Sequence, residues 1–312
     1  MLDLHLAAMM KQVQASGLPD LADLPPEAAR GLYKQILAAA NMPPADVAVA
    51  NAQVPAQGRA PAVPLRIYTP RSTGPHALVV YYHGGGYMLG DLDGYDGVCR
   101  QLCHDSDAVV VSVEYRLAPE HAMPAGVDDA WAALRWAAEQ ATALGADPTR
   151  LGVAGDSAGA VFATVVCLLA RDAQGPQVRF QALLYPPAAG GHGDHASRRE
   201  HAAGPTLTQR SMDCFNRTTF GPSGQAEDFR YAPLLAANLG GLPPAWLAAA
   251  GHDPLRDEVL AYGNALLTAG TPVAMVEYHG LAHGFISMAG AIPTARLAQQ
   301  QFAQALGTGL AA

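Results

Sequence analysis

Two short runs, residues 77–82 (Ala-Leu-Val-Val-Tyr-Tyr) and 108–113 (Ala-Val-Val-Val-Ser-Val), carry no charge and no alternation of polar with apolar side chains. A strand with one wet face alternates. Unbroken valine-rich runs of this length belong to strands covered on both faces. Six further runs, at about 47–54, 65–69, 150–155, 180–185, 245–250 and 273–278, bring the expected strands to eight. Helical segments stand among them at 125–140, 157–171, 255–269 and 293–306. In the first, Val127, Trp131, Leu134 and Ala138 share a face; the second is apolar nearly all round and must be buried. This alternation predicts an α/β domain on a mostly parallel eight-stranded sheet flanked by helices.

Two stretches fall outside it. Residues 1–41 read as two helices, the first carrying Leu2, Leu4, Leu6, Met9, Met10 and Val13 before a Gly-Leu-Pro break. The second, about 26–41, stops before Pro43 and Pro44. Residues 186–244 hold no credible strand, only a helix at about 206–220, although a crossover needs no more than one helix. Long interruptions of this kind inside a compact domain are usually lids. Residues 1–41 and 188–232 are therefore expected to be two parts of one helical cap, over a sheet domain made of 42–187 and 233–312.

Charge narrows the function. The chain has 312 residues, a net charge of −8 and only two lysines, Lys11 and Lys34. Tracking nucleic-acid phosphates needs a basic face, so nucleic acid is excluded as the expected partner. Neither lysine sits in a phosphate-binding loop of the G-x-x-x-x-G-K type. The longest apolar run, 158–170, is too short to span a bilayer, and the N-terminus lacks the features of a signal peptide. A soluble, cytoplasmic protein is expected. Cys99, Cys103, Cys167 and Cys214 form no C-x-x-C pair and read as reduced, mostly buried thiols.

The chemistry is concentrated in two glycine-rich segments. Gly155-Asp156-Ser157-Ala158-Gly159 follows a strand and opens a buried helix, the setting in which G-x-S-x-G presents a nucleophilic serine on a tight turn. His83-Gly84-Gly85-Gly86 follows another strand and offers backbone N–H groups that no side chain obstructs, as binding a tetrahedral oxyanion requires. It does not fit a dinucleotide loop, because Leu89 stands where the last glycine would be. A base and an acid should follow Ser157 in the order acid, then histidine. Spacing leaves His279 and His283 both open. Asp253, at a strand end, and Asp257, one helical turn on, are the candidate acids.

These segments, with Gly90-Asp91-Leu92, the run Tyr115-Arg116-Leu117-Ala118-Pro119-Glu120-His121, Asp253-Pro254-Leu255-Arg256-Asp257 and His283-Gly284-Phe285, resemble the hormone-sensitive-lipase-like (bacterial family IV) carboxylesterases of the α/β-hydrolase superfamily. The resemblance implies the α/β-hydrolase fold with a helical cap. It also implies a triad of Ser157, Asp253 and His283, and an oxyanion hole from the N–H groups of Gly84, Gly85 and Ala158. The implied activity is hydrolysis of short-to-medium acyl esters without a cofactor. The same triad would serve an amidase, a carbamate hydrolase or a deacetylase. A non-catalytic small-molecule receptor on this fold is the reading of another class, and the presence of all three triad residues argues against it. A homodimer is left open.

Other polar residues are given supporting roles. His83, Asp156, Arg116 and Glu120 are expected to brace the site, the last two as a partly buried ion pair beneath the oxyanion loop. Tyr87, where the family often has Phe or Trp, should shape the substrate pocket. His192, Asp194, His195 and His201 could ligate zinc but read as a solvated cap loop, so no metal is expected.

Overall fold

A computed structural model describes residues 1–58 and 60–311. Helices α1 (Leu4–Ser16) and α2 (Pro26–Ala40) precede the sheet. Then follow β1 (Ala48–Val54), β2 (Val63–Thr69), β3 (His76–Tyr82), α3 (Asp96–Ser106), β4 (Ala108–Val113) and α4 (Ala125–Gln140). The second half runs β5 (Ala146–Asp156), α5 (Ala158–Asp172), β6 (Phe180–Leu184), α6 (Ala196–Glu200), α7 (Gln209–Phe220), β7 (Ala245–His252), α8 (Arg256–Thr268), β8 (Val273–Ala282) and α9 (Pro293–Gly309).

The strands form one eight-stranded sheet in the order β1-β2-β4-β3-β5-β6-β7-β8. The pairings of β2 with β1 and β4 are antiparallel and the other five are parallel. This is the α/β-hydrolase fold expected from the sequence. Every residue of β3 and β4 is buried, because helices cover both faces. Buried as it is, α5 joins the sheet's core through Val161, Phe162, Val165, Val166 and Leu168.

The structure adds two helices that the sequence pattern did not single out, α3 and the short α6. Helix α3 buries Val98, Cys99, Leu102 and Cys103 between charged and polar neighbours, too short a stripe to stand out as periodicity. The expected helix at 206–220 starts later, at Gln209, because Thr208 caps it by accepting the N–H of Ser211 at 3.0 Å.

The N-terminal helices and the 188–232 insertion meet each other. Arg210 of α7 pairs with Asp23 in the turn between α1 and α2. Phe215 packs with Leu21, Leu24 and Tyr33 around buried Ala29, Met88 and Leu89. The insertion is anchored from below by Glu258 of α8, which is fully buried and receives the Ala189 N–H at 2.8 Å and Arg198 at 2.9 Å. Burial raises the pKa of this carboxyl, and the arginine opposes that shift. Among the described residues no helix is long and apolar enough to cross a membrane.

Candidate active site

Parallel pairing lines up the strand ends from which the site is built. Tyr82 of β3 is level with Gly155 of β5, so the loops following these strands emerge side by side. His252 of β7 pairs with Ala282 of β8, which puts the next residues, Asp253 and His283, next to each other.

Ser157 sits between β5 and α5 with φ 52° and ψ −122°, a conformation L-residues avoid. Its own N–H is held by the Leu184 carbonyl at 2.8 Å. The turn is possible only because Gly159 has no side chain. A Cβ there would stand 2.0 Å from the Tyr82 carbonyl oxygen and 2.5 Å from that of His83, both backbone atoms that cannot give way.

His283 Nε2 lies 2.8 Å from Ser157 Oγ, and His283 Nδ1 lies 2.8 Å from Asp253 Oδ2. An ionised carboxylate can only accept, so Nδ1 carries the imidazole proton and Nε2 is left to accept from the serine hydroxyl. Asp253 is fully buried, and its other oxygen takes the Leu255 N–H at 2.9 Å. The imidazole rests against Tyr185, ring centroids 4.6 Å apart, and the Thr206 hydroxyl grips the His283 carbonyl at 2.8 Å. The two alternatives lie elsewhere: His279 is exposed beside Glu277, and Asp257 binds the Ser197 N–H and Arg256.

The expectation for Gly84 is corrected. Its N–H donates to Asp156 Oδ1 at 2.8 Å, so it is not free for a substrate oxygen. Gly85 and Gly86 line the cavity beside Ser157, whereas Gly84 does not. Ala158 opens α5, where the first N–H groups have no partner within the helix. Gly86 was missed because three consecutive glycines look alike until the strand end fixes which of them turns inward.

Asp156 is buried behind the serine. It accepts from Tyr81 at 2.7 Å, Gly84 at 2.8 Å and Tyr95 at 3.2 Å. Burial raises its pKa to about 6 against these hydrogen bonds, which lower it. His83 is buried too and stacks on Tyr115 at 4.3 Å. Burial lowers its pKa to about 4, so the ring is neutral at pH 7 and its Nδ1–H donates to the Gly84 carbonyl at 2.8 Å.

The expected Arg116–Glu120 pair is also corrected. Arg116 turns toward α4 and forks onto buried Asp129, with Nε and Nη2 each 2.8 Å from a carboxylate oxygen. Glu120 points the other way and is held at 2.7 Å by Arg30 of α2. The buried Asp129 carboxylate needs a cation, and Arg116 is the one within reach; Glu120, with its side chain 51% exposed, has no such need.

Above the serine lies a cavity of about 940 Å³. Met9, Val13 and Ile36 of α1 and α2 line it from one side, and Leu207, Met212 and Phe215 of the insertion from the other. Tyr87 lines it as well, packed at 5.4 Å on Phe162 and 5.1 Å on Tyr231. Its buried hydroxyl has no partner among the described residues. His192 donates to the Ala226 carbonyl, Asp194 pairs with Arg199, and His201 packs on His252. Among the described residues no three His, Cys, Asp or Glu side chains converge to hold a metal.

Residues 79–287 match the family described as alpha/beta hydrolase fold. The esterase LipI of Mycobacterium tuberculosis is 45% identical over 241 residues, 75% of each chain. The ethyl acetate hydrolase of Pseudomonas putida is 35% identical over 75% of this chain and 74% of that one. Among solved structures, the hyperthermophilic esterase of Pyrobaculum calidifontis superposes with a TM-score of 0.91 at 36% identity, covering 99% of both chains.

Proposed function

The chain belongs to the hormone-sensitive-lipase-like carboxylesterases of the α/β-hydrolase superfamily, and from that premise we propose that it cleaves short-to-medium acyl esters through an acyl-enzyme on Ser157. One observation carries the mechanism: the unbroken hydrogen-bond line from Ser157 through His283 to Asp253, 2.8 Å at each step, beneath the cavity.

Ser157 Oγ attacks the ester carbonyl carbon while His283 Nε2 takes its proton. The charge that develops on the imidazolium faces the buried Asp253 carboxylate, which also keeps the ring turned toward the serine. The carbonyl oxygen becomes an oxyanion between the N–H groups of Gly85, Gly86 and Ala158, at the positive end of α5. His283 then protonates the leaving alcohol. Water, deprotonated by the same nitrogen, attacks the acyl-enzyme and releases the acid.

We read the N-terminal helices and the insertion as the two parts of a cap. Their apolar residues wall the space above Ser157, and in this reading that wall limits the acyl chain accepted, favouring short chains over long ones. The test is a series of p-nitrophenyl esters graded in acyl length, on wild type and Ser157→Ala. The rate should peak at butyrate to hexanoate and fall steeply beyond, and Ser157→Ala should lose at least about a thousandfold in kcat while staying folded. A variant that keeps most of its activity would remove Ser157 from the mechanism. A rate still rising at palmitate would overturn the reading that the cap limits acyl length.

A further inference from the structure

Two of the three proposed oxyanion donors, Gly85 and Gly86, belong to the loop 84–95, and one face of α2 grips that loop along its length. Arg30, Tyr33, Lys34, Leu37 and Asn41 recur at helical spacing, and all but Leu37 hydrogen-bond to it. Arg30 Nε donates to the Met88 carbonyl at 2.8 Å, Lys34 binds Asp91 at 3.0 Å and Asp93 at 2.7 Å, and Asn41 donates to the Gly94 carbonyl at 3.1 Å. These three hold the outside of the loop or its backbone. Tyr33 reaches inward instead.

The Tyr33 hydroxyl is 3.0 Å from that of Tyr95, and Tyr95 donates to Asp156 Oδ2 at 3.2 Å. The other Asp156 oxygen receives the Gly84 N–H at 2.8 Å. A carboxylate supplies no proton, so Tyr95 gives its own to Asp156, and its oxygen must then accept from Tyr33. The direction of the chain follows: Tyr33 to Tyr95 to Asp156, with Gly84 donating from the far side. Each bond in such a line polarises the next, more strongly where water is excluded. Tyr33 also lines the cavity, so the helix that faces substrate and the loop that would hold the oxyanion share one hydrogen-bonded line.

We propose that Tyr33 is a positioning residue for ester hydrolysis: through Tyr95 and Asp156 it sets the backbone of residues 84–86 where the oxyanion forms, which makes α2 part of the turnover machinery as well as a pocket wall. This rests on the reading of Ser157 and the adjacent glycine loop as the ester-hydrolysing centre.

The test compares wild type, Tyr33→Phe, Tyr95→Phe, the double variant and Ser157→Ala. Three quantities are measured: kcat/KM for p-nitrophenyl butyrate, inhibition by an alkyl trifluoromethyl ketone whose adduct with serine carries the oxyanion, and inhibition by butyl p-nitrophenyl ether, which fills the pocket but has no carbonyl. Tyr33→Phe should lower kcat/KM about tenfold and weaken the ketone by a similar factor, with the ether within about twofold of wild type. Tyr95→Phe should cost at least as much, and the double variant no more than Tyr95→Phe alone, because the two act in series. Ketone affinity unchanged in Tyr33→Phe would reduce the chain to packing. Parallel loss of the ether would reduce Tyr33 to a wall contact, and additive losses would take it off the chain. If Tyr33→Phe fails to fold, the ketone-to-ether ratio of Tyr95→Phe decides alone: a loss confined to the ketone supports the proposal and an unchanged ratio ends it. An active Ser157→Ala would overturn the reading of the site itself, whereas an inactive one beside a normal Tyr33→Phe would overturn only this inference.

Discussion

The N–H of Gly84 donates to Oδ1 of Asp156 at 2.8 Å, tying the loop after β3 to the residue that precedes Ser157. The contact is close enough that a Cβ on Gly84 would stand 2.4 Å from the other carboxylate oxygen. Its consequence is a division of labour within three consecutive glycines: the first binds the protein, and the next two face the cavity. It also buries a carboxylate that must ionise at neutral pH in a poorly solvated place.

That burial should be visible in stability against pH. The Asp156 pKa is raised to about 6 in the folded protein, above the value of 3.8 for the free group. The folded state therefore holds this proton more tightly than the unfolded one. The resulting stabilisation is complete below the unfolded value and is lost as pH rises through about 6. Asp156→Asn keeps an acceptor for Gly84 and cannot titrate. Urea unfolding of both proteins should show the variant gaining on wild type by about 2 kcal/mol between pH 4 and pH 7. Taking the difference cancels His83, whose lowered pKa acts in the opposite direction: its contribution is present above the unfolded value and lost as pH falls through about 4. A difference that stays flat across that range would mean Asp156 is not held as described.

Replacing His283 by alanine should lower kcat for p-nitrophenyl butyrate by several orders of magnitude, since a base acting with its nucleophile is lost as a unit. His279→Ala should change the rate by less than about twofold, because the His279 side chain is 83% exposed and reaches only Glu277. Steady-state kinetics of the pair decides the matter, and the opposite ranking would move the base to His279.

Backbone contact makes Gly159 irreplaceable while leaving another helical glycine free to improve. Gly159→Ala must push the end of β3 away from α5, and should either not accumulate as folded protein or lose more than about 3 kcal/mol. Gly31, inside α2, has nothing within 4 Å of the point where an alanine methyl would sit. Gly31→Ala should gain about 0.5–1 kcal/mol by restricting the unfolded chain. Melting temperatures of the two variants should move in opposite directions.

The partner of Arg116 can be read the same way. Arg116→Met strands the buried Asp129 carboxylate and should cost about 3 kcal/mol or more. Glu120→Gln removes half-exposed charge opposite Arg30 and should cost under about 1 kcal/mol. Equal costs in denaturant unfolding would restore the pairing expected from the sequence.

Buried strands and tight turns are local matters, and they were legible in the residues. An uncharged valine run has to be covered on both faces, and a serine between two glycines at a strand end has to turn sharply, wherever the rest of the chain goes. The eight strands, the parallel sheet and the position of Ser157 on its turn follow from such constraints. Pairings between distant segments do not. Spacing left His279 and His283 equivalent, and only the β7–β8 register turns one toward Ser157 and the other to solvent. Arg116 stands four residues from Glu120 yet binds Asp129, because the chain reverses between them and a buried carboxylate attracts the nearest cation. Gly84 differs from Gly86 only in what the neighbouring strand brings up against it, and Tyr33 meets Tyr95 only after α2 has folded back over the loop. Residue type sets what a side chain needs; which partner meets that need depends on strand register and helix placement, which no short stretch of sequence contains.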